Sequence, residues 1–505
     1  MGSGTSSDRV RILAGAGQNL LGLLIFVVAT LGTNVLISRA FGREGPSALG
    51  VITLATQFAF VGAAATRFGM DMAAVRRVAI DVGRGEGGRA RAVVIRAAAV
   101  AGAVSVVVGL VVLLGAPQLA RVFGAPDGVD AFRAAALALP FVALCQVYLG
   151  GTRGLKVMRH TLWIYWAGQP VVWILVMLAA WAISRSVGSS VLAYSMSWLA
   201  ATVAAAFAWR SETRRFAPLA AEPGETRALI GYGAPRAPAA LLAQLLFWAD
   251  YFVLSRYVSS AELGIYAAAV RVAQAIVLFL IAVNYMFSPY VADLHARGER
   301  DQLDGLFKSL TRWVVAGTIP ILLLLAIVPA PVLLVFGGQF DQGTTALRIL
   351  LIGQAVNVAV GSVGFILIMV GRTGWDLIVY AASFAFDVAL AFVLAPRFGA
   401  EGAAIAQAAT LALSNLARLY LVWRFVRIQP FDRHYGRLAF PAAATALVML
   451  VLQAVLRNNV WPVQLAVVAV AGVIVYAAAL FTVGLSSDER RAIARFAGLA
   501  RQRAR

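Results

Sequence analysis

Residues Leu36–Val51 read LISRAFGREGPSALGV, and residues Val253–Tyr266 read VLSRYVSSAELGIY. Each stretch closes a long apolar run with Ser-Arg (Ser38-Arg39, Ser255-Arg256). After a short polar loop, each opens the next run with Leu-Gly (Leu49-Gly50, Leu263-Gly264). A second matching pair is Gly150-Gly151-Thr152-Arg153-Gly154 and Val370-Gly371-Arg372-Thr373-Gly374. With the apolar runs counted as membrane spans, both pairs fall about six spans apart. An even offset means that the two copies run in the same direction. The pattern therefore predicts two parallel six-helix repeats related by an axis along the membrane normal.

Working outward, 61% of the 505 residues are apolar, 13% are charged and the mean hydropathy is +0.83. One or two soluble cores cannot hide that much apolar surface. The apolar runs predict about fourteen transmembrane helices: 12–38, 46–66, 97–118, 133–152, 161–184, 190–209, 228–257, 262–290, 312–336, 346–370, 374–396, 399–424, 438–456 and 460–484. The fold class expected is an all-α integral membrane protein of two six-helix repeats plus two C-terminal helices. Its expected parts are lobes at 1–210 and 211–425, then an added helix pair and basic tail at 426–505. The first run lacks a small-x-small cleavage pattern and reads as the first span, not as a removed signal peptide.

The net charge is +20, yet nucleic acid is not the expected partner. With both termini placed in the cytoplasm, only nine of the 43 basic residues fall in the outer loops. That asymmetry is the positive-inside bias of an inner-membrane protein, and anionic lipid headgroups are the partner it implies. Two segments read as basic helices lying on the membrane surface. One is Asp71–Arg96, with an apolar stripe through Val75, Val78 and Val82; the other is the tail after Ser486, where Ser486 and Glu489 fit a capping box. Cys145 is the only cysteine, which leaves no disulfide framework and no CxxC metal site.

Three stretches carry a family resemblance. Arg39-Ala40-Phe41-Gly42 to Leu49-Gly50 resembles the opening of polysaccharide-biosynthesis proteins of the multidrug/oligosaccharidyl-lipid/polysaccharide exporter superfamily. Ala249-Asp250-Tyr251-Phe252-Val253-Leu254 followed by Ala261-Glu262-Leu263-Gly264-Ile265-Tyr266 resembles that same opening. Phe336-Gly337-Gly338-Gln339-Phe340 with Ala346-Leu347-Arg348-Ile349-Leu350 resembles its ninth-to-tenth junction. The resemblance spans roughly residues 12–425. It implies a Wzx-type flippase for a polyprenyl-pyrophosphate-linked oligosaccharide or a related envelope glycan, working with other proteins of polysaccharide assembly. Relatives include lipid II flippases and twelve-span drug antiporters.

A flippase for an anionic lipid needs cations in a wet cleft and no covalent chemistry. Ionisable residues inside spans are therefore the first candidates. Arg236 and Arg271 each sit about 13 Å into their spans at 1.5 Å per residue. Guanidinium matches phosphate oxygens bidentately, so both are expected to hold the pyrophosphate. Arg39 and Arg67 are candidates to complete the cationic cleft from the first half, although Arg39 also suits a snorkelling interface position. Asp250 and Asp387 are candidates for coupling to a proton or a sodium ion; no other cofactor is expected. Pairing of Arg271 with Asp250 or Asp387, locking neighbouring helices, is the alternative. Gly231, Gly233, Pro235 and Pro238 interrupt the seventh span beside Arg236, so a hinge is expected there.

Other chemistries find little support. The outer loops hold Asp127 and Asp130, which read as a solvated turn, and otherwise isolated carboxylates. There is no GxxxxGK[ST] loop for a nucleotide. His160, His295 and His434 fall in separate loops and form no metal constellation. A multidrug antiporter is the alternative within transport, and it predicts an acidic cleft. A membrane enzyme on lipid-linked sugars, or a scaffold of an export complex, is the alternative of another class.

Overall fold

The computed structural model describes residues 6–484 except 221, 278, 279, 282, 285–290, 292, 293, 296, 433 and 434. The expected surface helix of the C-terminal tail and His434 lie outside the described residues, as do the side chains of Arg236 and of residues 6–21.

Every element described is helical. In chain order they are α1 (Ser6–Ala40), α2 (Gly45–Thr66), α3 (Met70–Gly83), α4 (Ala90–Leu114), α5 (Ala116–Val122), α6 (Val129–Gly154), α7 (Gln169–Ile183), α8 (Val187–Thr213), α9 (Glu225–Gly233), α10 (Ala237–Leu245), α11 (Ala249–Leu254), α12 (Ser260–Gln274), α13 (Arg300–Ile327), α14 (Pro329–Leu333), α15 (Thr344–Val360), α16 (Val363–Met369), α17 (Thr373–Val426), α18 (Ala439–Val455) and α19 (Trp461–Ala479). A π-helical segment, Thr161–Gly168, leads into α7. Among the described residues, eleven segments are long and apolar enough to cross a membrane. The longest, α17, is two spans joined at Gly399, whose φ of 53° and ψ of −131° break the winding. With the apolar part of α1 and the interrupted seventh span, the helices follow the pattern expected from hydropathy.

Packing divides the chain into two compact units. The first comprises Met1–Ala268 with Tyr380–Ala406. Within it α6 is central, packing on α2, α3, α4 and α8. Hydroxyls stitch these helices together: Ser105 donates to Thr66 Oγ1 at 2.9 Å, Ser195 to the Ala134 carbonyl at 2.7 Å and Thr202 to the Phe141 carbonyl at 2.6 Å. In a bilayer, where burying apolar surface supplies no drive between helices, such bonds and close small-residue contacts do the joining. The second unit comprises Ala269–Val379 with Gln407–Arg505. Its α13 packs on α15, α18 and α19, and the Tyr476 hydroxyl donates to the Ala316 carbonyl at 2.7 Å. The lobes at 1–210 and 211–425 are a division by sequence repeat, a different criterion from packing.

Local differences from the hydropathy reading have physical causes. Helix α4 starts at Ala90 rather than near residue 97 because its first-turn cations find partners. Arg91 donates to the Thr213 carbonyl at 2.6 Å and to Thr213 Oγ1 at 3.1 Å. Of the basic stretch 71–96, only Met70–Gly83 forms the separate helix α3, and it is not merely a surface float. Met70, Ala73, Ala74 and Val78 are fully buried beneath α4, α6 and α9.

Candidate functional site

Helix α2 ends at Thr66, and Phe68 and Gly69 both take positive φ to turn the chain into α3. Gly69 is required at this turn. A Cβ there would stand 2.2 Å from the Gly233 carbonyl oxygen, and its φ is 68°. The turn thus sets Arg67 beside the end of α9. Directly beyond, the chain tightens into a 3₁₀ turn, Ala234–Arg236, before α10 resumes. Pro235 and Pro238 remove two backbone donors there, so the expected interruption of the seventh span is present. The same span breaks a second time at residues 246–248, before α11.

The far end of α6 reaches the same place. A Cβ on Gly150 would lie 2.6 Å from the Asp71 carbonyl oxygen, and one on Gly154 2.9 Å from that of Val75. These two glycines, one helical turn apart, let α6 lie directly on the α3 backbone. The next-to-last residue, Arg153, is thereby held within electrostatic range of Asp71, Arg67 and Tyr165. Arg67 Nε is buried without a hydrogen bond and stands 3.8 Å from an Asp71 carboxylate oxygen. Arg67 and Arg153 therefore share one carboxylate. Arg153 was not singled out as a binding residue in the sequence, since only the fold brings the end of α6 to Arg67. The glycines at 150 and 154 were the available signal.

A second polar centre lies deeper in the same unit. Asp250, in the first turn of α11, is fully buried, and its carboxylate accepts a short hydrogen bond from the Tyr266 hydroxyl of α12. The other oxygen, Oδ1, has no hydrogen-bond partner. Tyr251 stacks on Tyr266 with ring centroids 6.3 Å apart and donates its own hydroxyl to the Gly50 carbonyl at 2.9 Å. Asp387 of α17 is fully buried, within electrostatic range of Tyr266. Tyr266 is thus within range of both carboxylates.

The remaining expected residues are dispersed. Arg39 is exposed in the last turn of α1, next to the start of α2, and so a full helix of about 33 Å separates it from Arg67. Arg271 lies half-buried in α12, in the second packing unit. His160 and Arg159 both contact Glu212, at 2.9 Å and 2.6 Å, while His295 is exposed elsewhere. Among the described residues, no group of three or more His, Cys, Asp or Glu side chains is placed to hold a metal ion. Asp130 is exposed and pairs with Arg133 at 3.3 Å, a solvated turn as read from the sequence.

Beneath α3 lies an acid-base network. Arg77 donates to Glu222 at 2.7 Å and lies 3.2 Å from Asp81 and 3.4 Å from Glu225; Arg89 also bonds Glu222, and Arg96 stands 3.8 Å from Glu225. Asp81 and Glu225 are buried, and burial pushes both carboxyls up. The Arg77 hydrogen bond holds Glu222 below its ordinary range. The network ties the segment leading into α9 to the loop between α3 and α4, where Leu219 N–H also donates to the Gly88 carbonyl at 3.4 Å.

Residues 45–344 match the family model described as polysaccharide biosynthesis protein. A comparison with the curated proteins finds no match. Among solved structures, the chain is similar to the lipid II flippase MurJ in an inward closed conformation, with a TM-score of 0.71 at 13% identity over 91% of this chain and 97% of that one. It is also similar to an inward-facing multidrug resistance MATE family transporter of the MOP superfamily, with a TM-score of 0.69 at 13% identity, covering 82% and 98%. An outward-facing transporter of that family gives a TM-score of 0.58 at 13% identity, covering 82% and 95%. The fold is therefore the one these solved structures share.

Proposed function

Because the chain belongs to the polysaccharide biosynthesis protein family, we propose that it is a flippase that carries a polyprenyl-pyrophosphate-linked oligosaccharide, or a related envelope glycan lipid, across the cytoplasmic membrane. The observation that carries this reading is the half-buried cationic pair at the ends of α2 and α6, where Arg67 and Arg153 share only Asp71. Cations partly withdrawn from water at helix ends gain from an anion that comes to them, and a diphosphate is such an anion. Arg236, whose backbone adjoins the Gly69–Gly233 contact, and Arg271 join them as headgroup ligands in this account, and Arg39 meets the substrate at the outer end of α1.

The lobes at 1–210 and 211–425 rock in alternating access, with the interruption at Gly231, Gly233, Pro235 and Pro238 as hinge. Asp250 and Asp387 couple the cycle to a proton or sodium ion. Two buried carboxylates within range of one tyrosine favour capture of a cation, because a nearby cation lowers the cost of burying negative charge. Both termini lie in the cytoplasm, and partner proteins of glycan assembly supply the substrate and take the product. Transport leaves every covalent bond of the lipid intact, so no enzymatic step is assigned. A multidrug antiporter for cations is disfavoured by the arginines at the inner site.

Depletion of the protein in its native cell, followed by lipid extraction, tests the reading. A lipid-linked glycan should accumulate unpolymerised. An unchanged lipid profile under growth arrest would count against it.

A further inference from the structure

We propose that α9, which opens the seventh span and so belongs by sequence to the second repeat, is a fixed part of the first repeat. The moving joint of the span is then the 3₁₀ turn Ala234–Arg236 directly beyond it. This rests on the alternating-access reading and deepens it by saying which side of the interruption moves.

Attachments of three different kinds hold α9 to the first repeat. At its start the attachment is ionic. Buried Glu225 has Arg77 Nε at 3.4 Å and Arg96 at 3.8 Å, and Arg77 also donates to Glu222 at 2.7 Å and stands 3.2 Å from buried Asp81. One guanidinium thus gathers three carboxylates, and two of them lie on the approach to α9. Along the helix the attachment is apolar and aromatic. Leu229 is buried in one cluster with Met70, Ala74, Val78 and Val94, and the Arg76 guanidinium lies 4.5 Å from the centre of the Tyr232 ring. At its end the attachment is backbone on backbone: a Cβ on Gly233 would stand 2.9 Å from the Phe68 carbonyl oxygen and 3.0 Å from that of Gly69. The chain before α9 is docked as well, since a Cβ on Gly88 would stand 1.9 Å from the Ala217 carbonyl oxygen.

Beyond Gly233 the attachments change in kind. Pro235 and Pro238 lack the N–H groups that would wind α9 and α10 into one stiff rod, and the chain narrows to a single 3₁₀ turn between them. Helix α10 then lies on α2 through half-buried apolar side chains, a contact that can slide by small shear. A border at residue 211 would instead require each transport cycle to strip Arg77 from three carboxylates. Parting such pairs away from water leaves buried charge uncompensated, which is strongly unfavourable. The clamp therefore keeps α9 in place, and Arg77 acts as the positioning residue that sets where the span bends.

The experiment measures distances between paired spin labels on the full chain in nanodiscs, in a Cys145→Ala background, since Cys145 is the only cysteine. One label replaces Leu114, exposed at the C-terminal end of α4. The other replaces either Ala228, exposed on α9, or Phe247, exposed beyond the joint. Distances are recorded in sodium and in potassium, at neutral and mildly acidic pH, and with farnesyl pyrophosphate. The 114–228 distance should stay single and unchanged throughout, while the 114–247 distance should shift or split in at least one condition. Arg77→Gln should split the 114–228 distance too. Arg77→Lys should split it less, because it keeps the charge and loses the fork that reaches several carboxylates. A 114–228 distance that moves together with the 114–247 distance would overturn the assignment, and so would a 114–247 distance that stays single in every condition. Neither readout depends on lipid transfer, so wild type that moves no lipid would remove the flippase reading and leave this one to be decided by the distances.

Discussion

Gly50 and Gly264 occupy the same place against each other's helix. A Cβ on Gly50 would stand 2.1 Å from the Ser260 carbonyl oxygen, and one on Gly264 would stand 1.8 Å from that of Pro46. In each case the carbonyl lies four residues before the partner glycine, so the contact is reciprocal. Reciprocity of this kind is the mark of a two-fold relation, here between the two sequence repeats. The Leu-Gly motif that announced the repeat is therefore also the point where the copies touch.

Gly264→Ala should destabilise the protein by at least about 1–3 kcal/mol, because a methyl there meets backbone and not a movable side chain. Gly50→Ala should behave alike, and the double variant should cost less than the sum, since either change already parts the helices. Gly32→Ala is the control, as nothing lies within 4 Å of a Cβ at that site. Thermal unfolding followed by size-exclusion chromatography in detergent measures all four; equal melting of Gly264→Ala and wild type would refute the close crossing.

Glu262 caps the helix that follows the break in α17. Its carboxylate accepts from the Ala400 N–H at 2.9 Å, directly after Gly399. Glu262→Ala should cost about 0.5–2 kcal/mol, as loss of a helix cap does, and should raise amide exchange at residues 400–403. Glu262→Gln keeps an acceptor oxygen and should lose less. Unchanged exchange in Glu262→Ala would show that water replaces the cap at no cost.

The network under α3 should respond to pH in two directions. Asp81 and Glu225 have carboxyls raised by burial, so their charged forms oppose folding at high pH and this penalty fades as pH falls through the raised values. Glu222 is lowered by its Arg77 bond, so its contribution is present above the ordinary carboxylate range and is lost as pH falls through its lowered value. Protection of residues 214–225 from proteolysis should thus rise on mild acidification and drop on stronger acid. Glu225→Gln should raise protection at neutral pH and flatten the rise.

Asp250→Asn should abolish any stabilisation of the purified protein by the coupling cation, and Tyr266→Phe should shift its midpoint, because the Tyr266 hydroxyl bonds the carboxylate that would hold the ion. Melting curves across sodium concentration and pH read this directly. A variant that keeps the wild-type ion dependence would remove Asp250 from the coupling site.

The spans, the repeat and the interruption at Pro235 and Pro238 were legible because apolar length, motif order and proline chemistry are local properties. The second break of the seventh span was not, since Leu246-Phe247-Trp248 contains neither proline nor glycine. Arg153 escaped because its meaning depends on α6 lying on α3. Asp81 and Glu225 drew no reading from the sequence, because their burial depends on how the segments around α3 and α9 pack. The break at Gly399 is capped from afar, by a Glu262 carboxylate that lies 138 residues before the Ala400 N–H it accepts from.

The most direct test of the central claim is a leaflet assay in proteoliposomes. A short-chain polyprenyl pyrophosphoryl saccharide is loaded in one leaflet and its arrival in the other is followed with an impermeant glycosidase. Wild type should move the lipid well above the rate of protein-free vesicles, and Arg67→Ala should return it close to that background. Transfer by wild type no faster than protein-free vesicles, under both sodium and proton gradients, would contradict the account.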